Sequence, residues 1–284
     1  MFLVAESETP EARDNRRAVT GRSSGETFAD LLRALVPGAI CELAQTVDAG
    51  PGAHPAHDLS AYDAIVLAGS PLHVYADTPE VRRQLEFMRA AYRSGTPSFG
   101  SCAGLQIAVA AAGGAVRRNE ESHEVAVARR ITPTAAGQEH PLMRGRPAAF
   151  DALAIHSDEV AALPAGSTLL ATNRTTTVQA AEIRHDGGVF WGVQYHPEMP
   201  LSEIAGALRR QTKDMIAQGF AREERDVETY AALLATLEHE PERRDLAWRL
   251  GVDEQITDAA LRQTEIRNFI EALVLPTRSR RGRG

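Results

Sequence analysis

Two segments separated by nearly a hundred residues carry the side chains best suited to chemistry. The first is Gly100-Ser101-Cys102-Ala103-Gly104-Leu105-Gln106. Its cysteine stands between a short apolar run and an apolar helical stretch, with small residues on both sides. That pattern predicts a nucleophile elbow, where a tight strand-to-helix turn thrusts the side chain outward and small neighbours let the backbone bend. The following helix aims its unpaired N–H groups at the sulfur, which favours a thiolate and offers donors to an oxyanion. The second segment is Gly192-Val193-Gln194-Tyr195-His196-Pro197-Glu198, its histidine 94 positions after the cysteine. A thiol nucleophile needs a base, for which imidazole is suited near neutral pH, and the base needs a carboxylate to fix its tautomer. Pro197 holds the backbone extended, so His196 and Glu198 share one face. Together the residues suit nucleophilic catalysis: Cys102 as nucleophile, His196 as its base, Glu198 as the orienter of that base. Taken singly, each segment has a plainer reading, a buried structural cysteine and a surface His-Pro-Glu turn.

A third segment, Gly69-Ser70-Pro71, ends the apolar run 63–71. Gly69 there lets a backbone N–H approach a reacting carbonyl, because ligands of open α/β sheets bind at this edge. By itself it is a turn.

Periodicity predicts the elements that must hold these groups. Short strands are expected over 2–5, 39–47, 63–71 and 96–100. Helices are expected over about 26–35, from Thr78-Pro79 to about 93, and over 101–114. Strands alternating with helices argue for an α/β fold with a parallel sheet covered on both faces. From 115 to 195 the runs 123–131, 149–155, 167–172, 178–184 and 188–195 read as an antiparallel or mixed extension. After Pro200 the pattern is helical over about 202–218, 223–238, 242–250 and 257–274. Residues 6–24 and 48–60 read as loops, and 278–284, Arg-Ser-Arg-Arg-Gly-Arg-Gly, as a basic flexible tail.

The 284 residues allow one or two domains and a sizeable core. A formal charge of −7 disfavours nucleic acid, whose phosphates need a basic face. Two cysteines make neither a disulfide framework nor a zinc site, and no cofactor or metal is expected. No apolar run is long enough to span a membrane, and the first residues lack a signal-peptide pattern, so a cytoplasmic location is expected. The single lysine, Lys213, among many arginines reads mainly as coding bias.

In this order and spacing, Gly69-Ser70, the Cys102 elbow, His156-Ser157 and the Gln194–Glu198 block resemble the class I glutamine amidotransferases. The resemblance runs from about 60 to 200 and weakly from residue 1. It implies a flavodoxin-like three-layer domain with a mostly parallel central sheet, here carrying a C-terminal helical extension. It implies a Cys102-His196-Glu198 triad, with the N–H groups of Ser70 and Ala103 as oxyanion hole. Gln106 matches a position that contacts bound glutamine, and the backbone of His156-Ser157 matches a segment that holds the glutamine α-groups. The implied domains are 1–220 for the amidotransferase-like unit, 221–276 for the helical extension and 277–284 for the tail. One departure is Ser101, where the family usually has an aliphatic residue; its hydroxyl needs a backbone acceptor.

The activity implied is hydrolysis of the glutamine side-chain amide through a cysteine thioester. No phosphate-binding loop is visible, so the ammonia would go to a separate synthase. Two alternatives stay open: a hydrolase of γ-glutamyl peptides or amines using the same triad, and a non-catalytic scaffold subunit. The C-terminal helices are expected to cover the core, with self-association next. Cys41 reads as a core residue, and His54 and His57 as solvated. His123 and Glu124 are candidate walls of the substrate pocket. Arg13, Arg16, Arg17 and Arg22 could reach the active-site edge and bind carboxylates or phosphates.

Overall fold

Short buried apolar runs build the parallel half of a nine-stranded sheet in the computed structural model, which describes residues 1–50, 53, 55–120 and 123–283. In chain order the first elements are β1 (Phe2–Ala5), α1 (Pro10–Thr20), α2 (Ser24–Leu35), β2 (Cys41–Ala44) and β3 (Ala64–Leu67). Next come α3 (Pro79–Ser94), β4 (Ser98–Ser101), α4 (Ala103–Ala111), β5 (Ala115–Arg118), β6 (Glu124–Pro133) and α5 (Ala135–Glu139). β7 (Phe150–His156), β8 (Asp158–Ala162), β9 (Ser167–Thr172), β10 (Ala180–His185) and β11 (Gly188–Val193) complete the strands. The remainder is helical: α6 (Leu201–Arg210), α7 (Thr212–Ala217), α8 (Glu224–His239) and α9 (Arg244–Leu250). Then follow the short turns α10 (Glu254–Thr257) and α11 (Ala259–Arg262), and α12 (Thr264–Phe269), whose helix runs on through a π turn into α13 (Leu275–Arg280).

The strand order is β2-β1-β3-β4-β11-β10-β9-β6-β7. β2, β1, β3, β4 and β11 are mutually parallel. β10, β9, β6 and β7 extend the sheet through antiparallel pairs. β5 and β8 form a separate antiparallel ribbon, which alternation in the sequence did not reveal. One face of the sheet packs Phe28 and Leu32 of α2 with Ile266, Phe269 and Ile270. The other packs Met88 and Tyr92 of α3 with Leu105 and Val109 of α4. This is the three-layer α/β arrangement expected.

Helices after residue 220 divide between two places. α8 and α9 join α6 in a third cluster, which covers Val127 and Leu153 of the β6–β7 hairpin. α12 instead lies in the main core beside Phe99 and Trp191.

Two expectations are corrected. Residues 6–24 are not one long loop, because Thr9 caps a helix with Pro10 at its first position and Gly21 closes it. Its arginines are paired within the chain, two of them buried: Arg13 with Asp48 at 2.5 Å, and Arg16 with Glu203 and with Glu8, the latter at 3.6 Å. Arg17 pairs with Glu26 and Arg22 with Asp30. The tail is not free either. α13 reaches Arg280, and Arg283 donates to the carbonyls of Ala61 and Ser60, both at 2.9 Å.

Cys41 is half-buried against the core, its thiol pushed up by burial. His57 is exposed, and His54 lies outside the described residues. Among the described residues no helix is long and apolar enough to cross a membrane.

Candidate active site

Three strand ends converge where the sequence places its chemistry. Leu67 of β3 pairs with Gly100 of β4, and Ser101 pairs with Val193 of β11. Gly69, Cys102 and His196 therefore leave neighbouring parallel strands at the same carboxyl edge, where α/β sheets bind ligands.

Cys102 sits at the turn into α4 with φ 52° and ψ −112°, a left-handed conformation for a residue with a Cβ. Such backbone costs about 1–3 kcal/mol and is held by its surroundings. Here the Cys102 N–H donates to the Val193 carbonyl at 2.9 Å, and the Gln106 N–H donates to the Cys102 carbonyl at 3.1 Å. Gly104 permits the close approach behind the turn, since a Cβ there would lie 2.6 Å from the Leu67 carbonyl oxygen.

His196 and Glu198 are both buried. The His196 Nδ1 lies 2.7 Å from Glu198 Oε1, and the Cys102 sulfur is near enough to the ring to favour its charged form. Burial opposes charge on the imidazole. The Glu198 carboxylate and the sulfur outweigh it and push the ring's pKa up to about 10. The backbone fixes the ring's place as well, because the His196 N–H donates to the Leu153 carbonyl at 2.7 Å. A Cβ on Gly69 would stand 3.1 Å from the imidazole Cε1, so a glycine there leaves the ring its space.

Ser101 departs from the sequence-based expectation. Its hydroxyl finds no backbone acceptor but donates to Glu198 Oε1 at 2.9 Å. The same carboxylate oxygen thus serves both the hydroxyl and the ring, while Oε2 is buried without a partner among the described residues.

A cavity of about 460 Å³ opens over the sulfur. Ser70 lines it, with its hydroxyl accepting from the Leu72 N–H at 3.1 Å. Ala103 is the first residue of α4, where an amide has no partner within the helix. Gln106 also lines the cavity, but its amide donates to the Asp158 carbonyl and to Gln194 Oε1, each at 3.2 Å. The His156 ring is bolted at both nitrogens, to Glu124 at 2.8 Å and to the Asp158 carbonyl at 3.0 Å. The Ser157 carbonyl accepts from the Asn119 N–H at 2.8 Å. His123 and Glu124 line the wall as expected. Burial raises the Glu124 carboxyl's pKa, but the hydrogen bond and charge of His156, with Asn173 and Gln179, outweigh it and bring it below the usual range.

Sequence reasoning missed part of this wall. Arg118, and the pair His73–Asp158 at 2.7 Å, face the same cavity, as do Gln211, Asp214, Met215 and Gln218 at the α6–α7 corner. The signal available was Asp158 directly after His156-Ser157; the corner, distant in sequence and inside a helical stretch, left none.

Comparisons with known proteins give the family. The glutamine amidotransferase class-I family model matches residues 36–213. The gamma-glutamyl-L-1-hydroxyisopropylamide hydrolase of Pseudomonas sp is 35% identical, over 99% of this chain and 95% of its own. The glutamine-hydrolysing GMP synthase of Leifsonia xyli subsp. xyli is 31% identical over 51% of this chain, which spans 27% of that longer protein. A glutamine amidotransferase of Thermotoga maritima superposes with a TM-score of 0.66 over 96% of this chain and 98% of its own, at 16% identity, a likeness of fold. The chain belongs to the class-I glutamine amidotransferase family.

Proposed function

We propose that this protein hydrolyses the amide bond of a γ-glutamyl amine, releasing glutamate and the free amine. The observation that carries this reading is the end-to-end correspondence with the Pseudomonas hydrolase, against a match to about half the chain for the GMP synthase. The cavity agrees, because the α6–α7 corner joins its wall and gives a leaving group larger than ammonia a surface to meet.

In this reading the Cys102 sulfur attacks the γ-carbonyl carbon, and the carbonyl π pair moves onto oxygen. The N–H groups of Ser70 and Ala103 face that oxyanion, each worth about 2.7–4 kcal/mol by analogy with other oxyanion holes. As the tetrahedral adduct collapses, the C–N bond breaks and the amine nitrogen takes its proton from the His196 imidazolium. A γ-glutamyl thioester remains. Water, losing a proton to His196, attacks that carbonyl, the C–S bond breaks, and glutamate leaves. Glu198 holds the ring in register throughout. Gly69, Gln106, His156 and Ser157 shape the pocket that receives the glutamyl chain.

The family favours a second reading, a glutaminase whose ammonia passes to a separate acceptor enzyme. Steady-state assays of γ-glutamyl-L-1-hydroxyisopropylamide against L-glutamine, quantifying amine, ammonia and glutamate, separate the two. The proposal expects kcat/KM at least about tenfold higher for the γ-glutamyl amine, a difference of about 1.4 kcal/mol in transition-state binding. A preference for glutamine overturns it in favour of the glutaminase. A Cys102→Ala protein that kept full biological function would favour the scaffold role instead.

A further inference from the structure

The cavity over Cys102 is lined by several ionisable groups, and most are already hydrogen-bonded to one another. His73 lies against Asp158, and His156 against Glu124. Arg118 is different. It lines the cavity, is exposed, and its guanidinium has no hydrogen bond or ion pair among the described residues.

Its placement follows from the β5–β8 ribbon. Arg118 pairs with Asp158 and Arg117 with Glu159. Successive residues of a strand face opposite sides, and directly opposed residues share a face. Arg117 accordingly turns away from the cavity and binds Glu159 at 2.8 Å. Arg118 shares the cavity side with Asp158, whose carboxylate is occupied: Oδ2 by His73 at 2.7 Å, and Oδ1 by the Tyr75 hydroxyl at 3.3 Å. The guanidinium is thereby left with its donors unspent, at the mouth of a site that handles a glutamyl chain. The other unpaired charge on this wall, among the described residues, is Asp214, of opposite sign.

We propose that Arg118 is the specificity-determining residue that binds the free α-carboxylate of the γ-glutamyl group. A guanidinium presents a planar pair of donors that fits a carboxylate bidentately, and such charge-assisted bonds are the stronger kind. The chemistry recognised is an amino-acid head with an unblocked α-carboxylate, whatever amine the γ-carbonyl carries. Arg118 thus excludes amides within a peptide chain, where that carboxylate is consumed in a peptide bond. This inference rests on the glutamyl specificity proposed above, and not on the identity of the leaving amine.

The test compares wild type, Arg118→Ala, Arg118→Lys and Arg117→Ala. Substrates are γ-glutamyl-L-1-hydroxyisopropylamide, L-glutamine, and the α-carboxamide of each; binding of L-glutamate is followed by calorimetry. Arg118→Ala is expected to raise KM and the glutamate Kd about tenfold to a hundredfold, with kcat within about threefold. It should also lose discrimination against the α-carboxamides. Arg118→Lys should recover part of the affinity, and Arg117→Ala none of the defect. Unchanged KM, Kd and discrimination in Arg118→Ala overturn the proposal, as does a wild type that binds no glutamate. A wild type that binds glutamate through Arg118 yet turns over neither compound would sink the hydrolase reading and leave the carboxylate anchor standing.

Discussion

The Ser101 hydroxyl and the His196 imidazole share one oxygen of Glu198, at 2.9 Å and 2.7 Å. Ser101 is fully buried in β4 immediately before Cys102, so the strand that ends in the sulfur also grips the carboxylate bonded to the imidazole. The two halves of the site are tied through a side chain as well as through the sheet.

Removing that grip should loosen the carboxylate without unfolding the chain. Ser101→Ala is expected to lower kcat about tenfold to a hundredfold with KM nearly unchanged, because the lost hydrogen bond to a charged group is worth about 1.5–3 kcal/mol and acts on the imidazole alone. Ser101→Thr should retain more activity than the alanine variant. Equal kcat in Ser101→Ala and wild type would show the hydroxyl to be passive.

The raised His196 pKa sets a pH prediction. Burial disfavours the charged ring, but Glu198 and the sulfur hold it charged up to about pH 10. Activity that needs the imidazolium as acid should fall on the alkaline side near that value. In Glu198→Gln burial acts with one opponent fewer, so this limb should move to lower pH and kcat should drop by about 10²-fold or more. Stability follows the same titration. A pKa raised in the folded state gives stabilisation that is complete below the ordinary value near 6.5 and is lost as pH rises towards 10. Rate profiles and thermal melts across pH 6–10 check both.

Gly69→Ala separates chemistry from folding. The added methyl meets only the His196 ring, at 3.1 Å from Cε1. The ring must tilt away from the sulfur, so kcat should fall about tenfold or more while the melting temperature stays within a few degrees. Gly104→Ala should do the reverse first. Its methyl would lie 2.6 Å from a backbone oxygen of β3, and overpacking of about 1–3 kcal/mol should lower the melting temperature by several degrees.

Arg16 should behave as a structural cation. It stands buried between Glu203 and Glu8, and Thr27 donates to the same Glu203 at 2.5 Å. Arg16→Met would remove the ion-pair partner of two buried carboxylates, which keep Thr27 and Ser24 as donors and Arg210 nearby, at a cost of up to about 3–5 kcal/mol. Thermal denaturation should reveal the loss, with KM of the surviving folded enzyme unaltered.

The chemistry-bearing residues were legible because cysteine is rare in this chain and their local backbone is dictated by near neighbours. The elbow around Cys102 and the extended His196-Pro197-Glu198 step need only a strand before them and a helix or proline after. The parallel half of the sheet was legible for a similar reason, its runs being mostly apolar or small and punctuated by helix starts such as Thr78-Pro79. Residues 10–20 were not. Their polarity hides a helix whose buried face is made of Arg13 and Arg16, satisfied by Asp48, Glu8 and Glu203 from elsewhere in the chain. Arg283 escaped in the same way, since its partners are backbone carbonyls at Ser60 and Ala61. The β5–β8 ribbon was missed because four residues such as Ala115–Arg118 give too short a period to read.

The reacting groups and the cavity wall are built from different material. Cys102 and His196 inherit their positions from the hydrogen-bonded register of β4 and β11 in the middle of the sheet, whereas Arg118 and the α6–α7 corner sit on a peripheral ribbon and a surface bend. Under the proposed function, substitutions in the wall are expected to change which amide is accepted while leaving the Cys102–His196–Glu198 geometry in place. Diversification of substrate range, natural or by directed evolution, should accumulate at residues 118, 211, 214 and 218 while the sheet centre stays fixed.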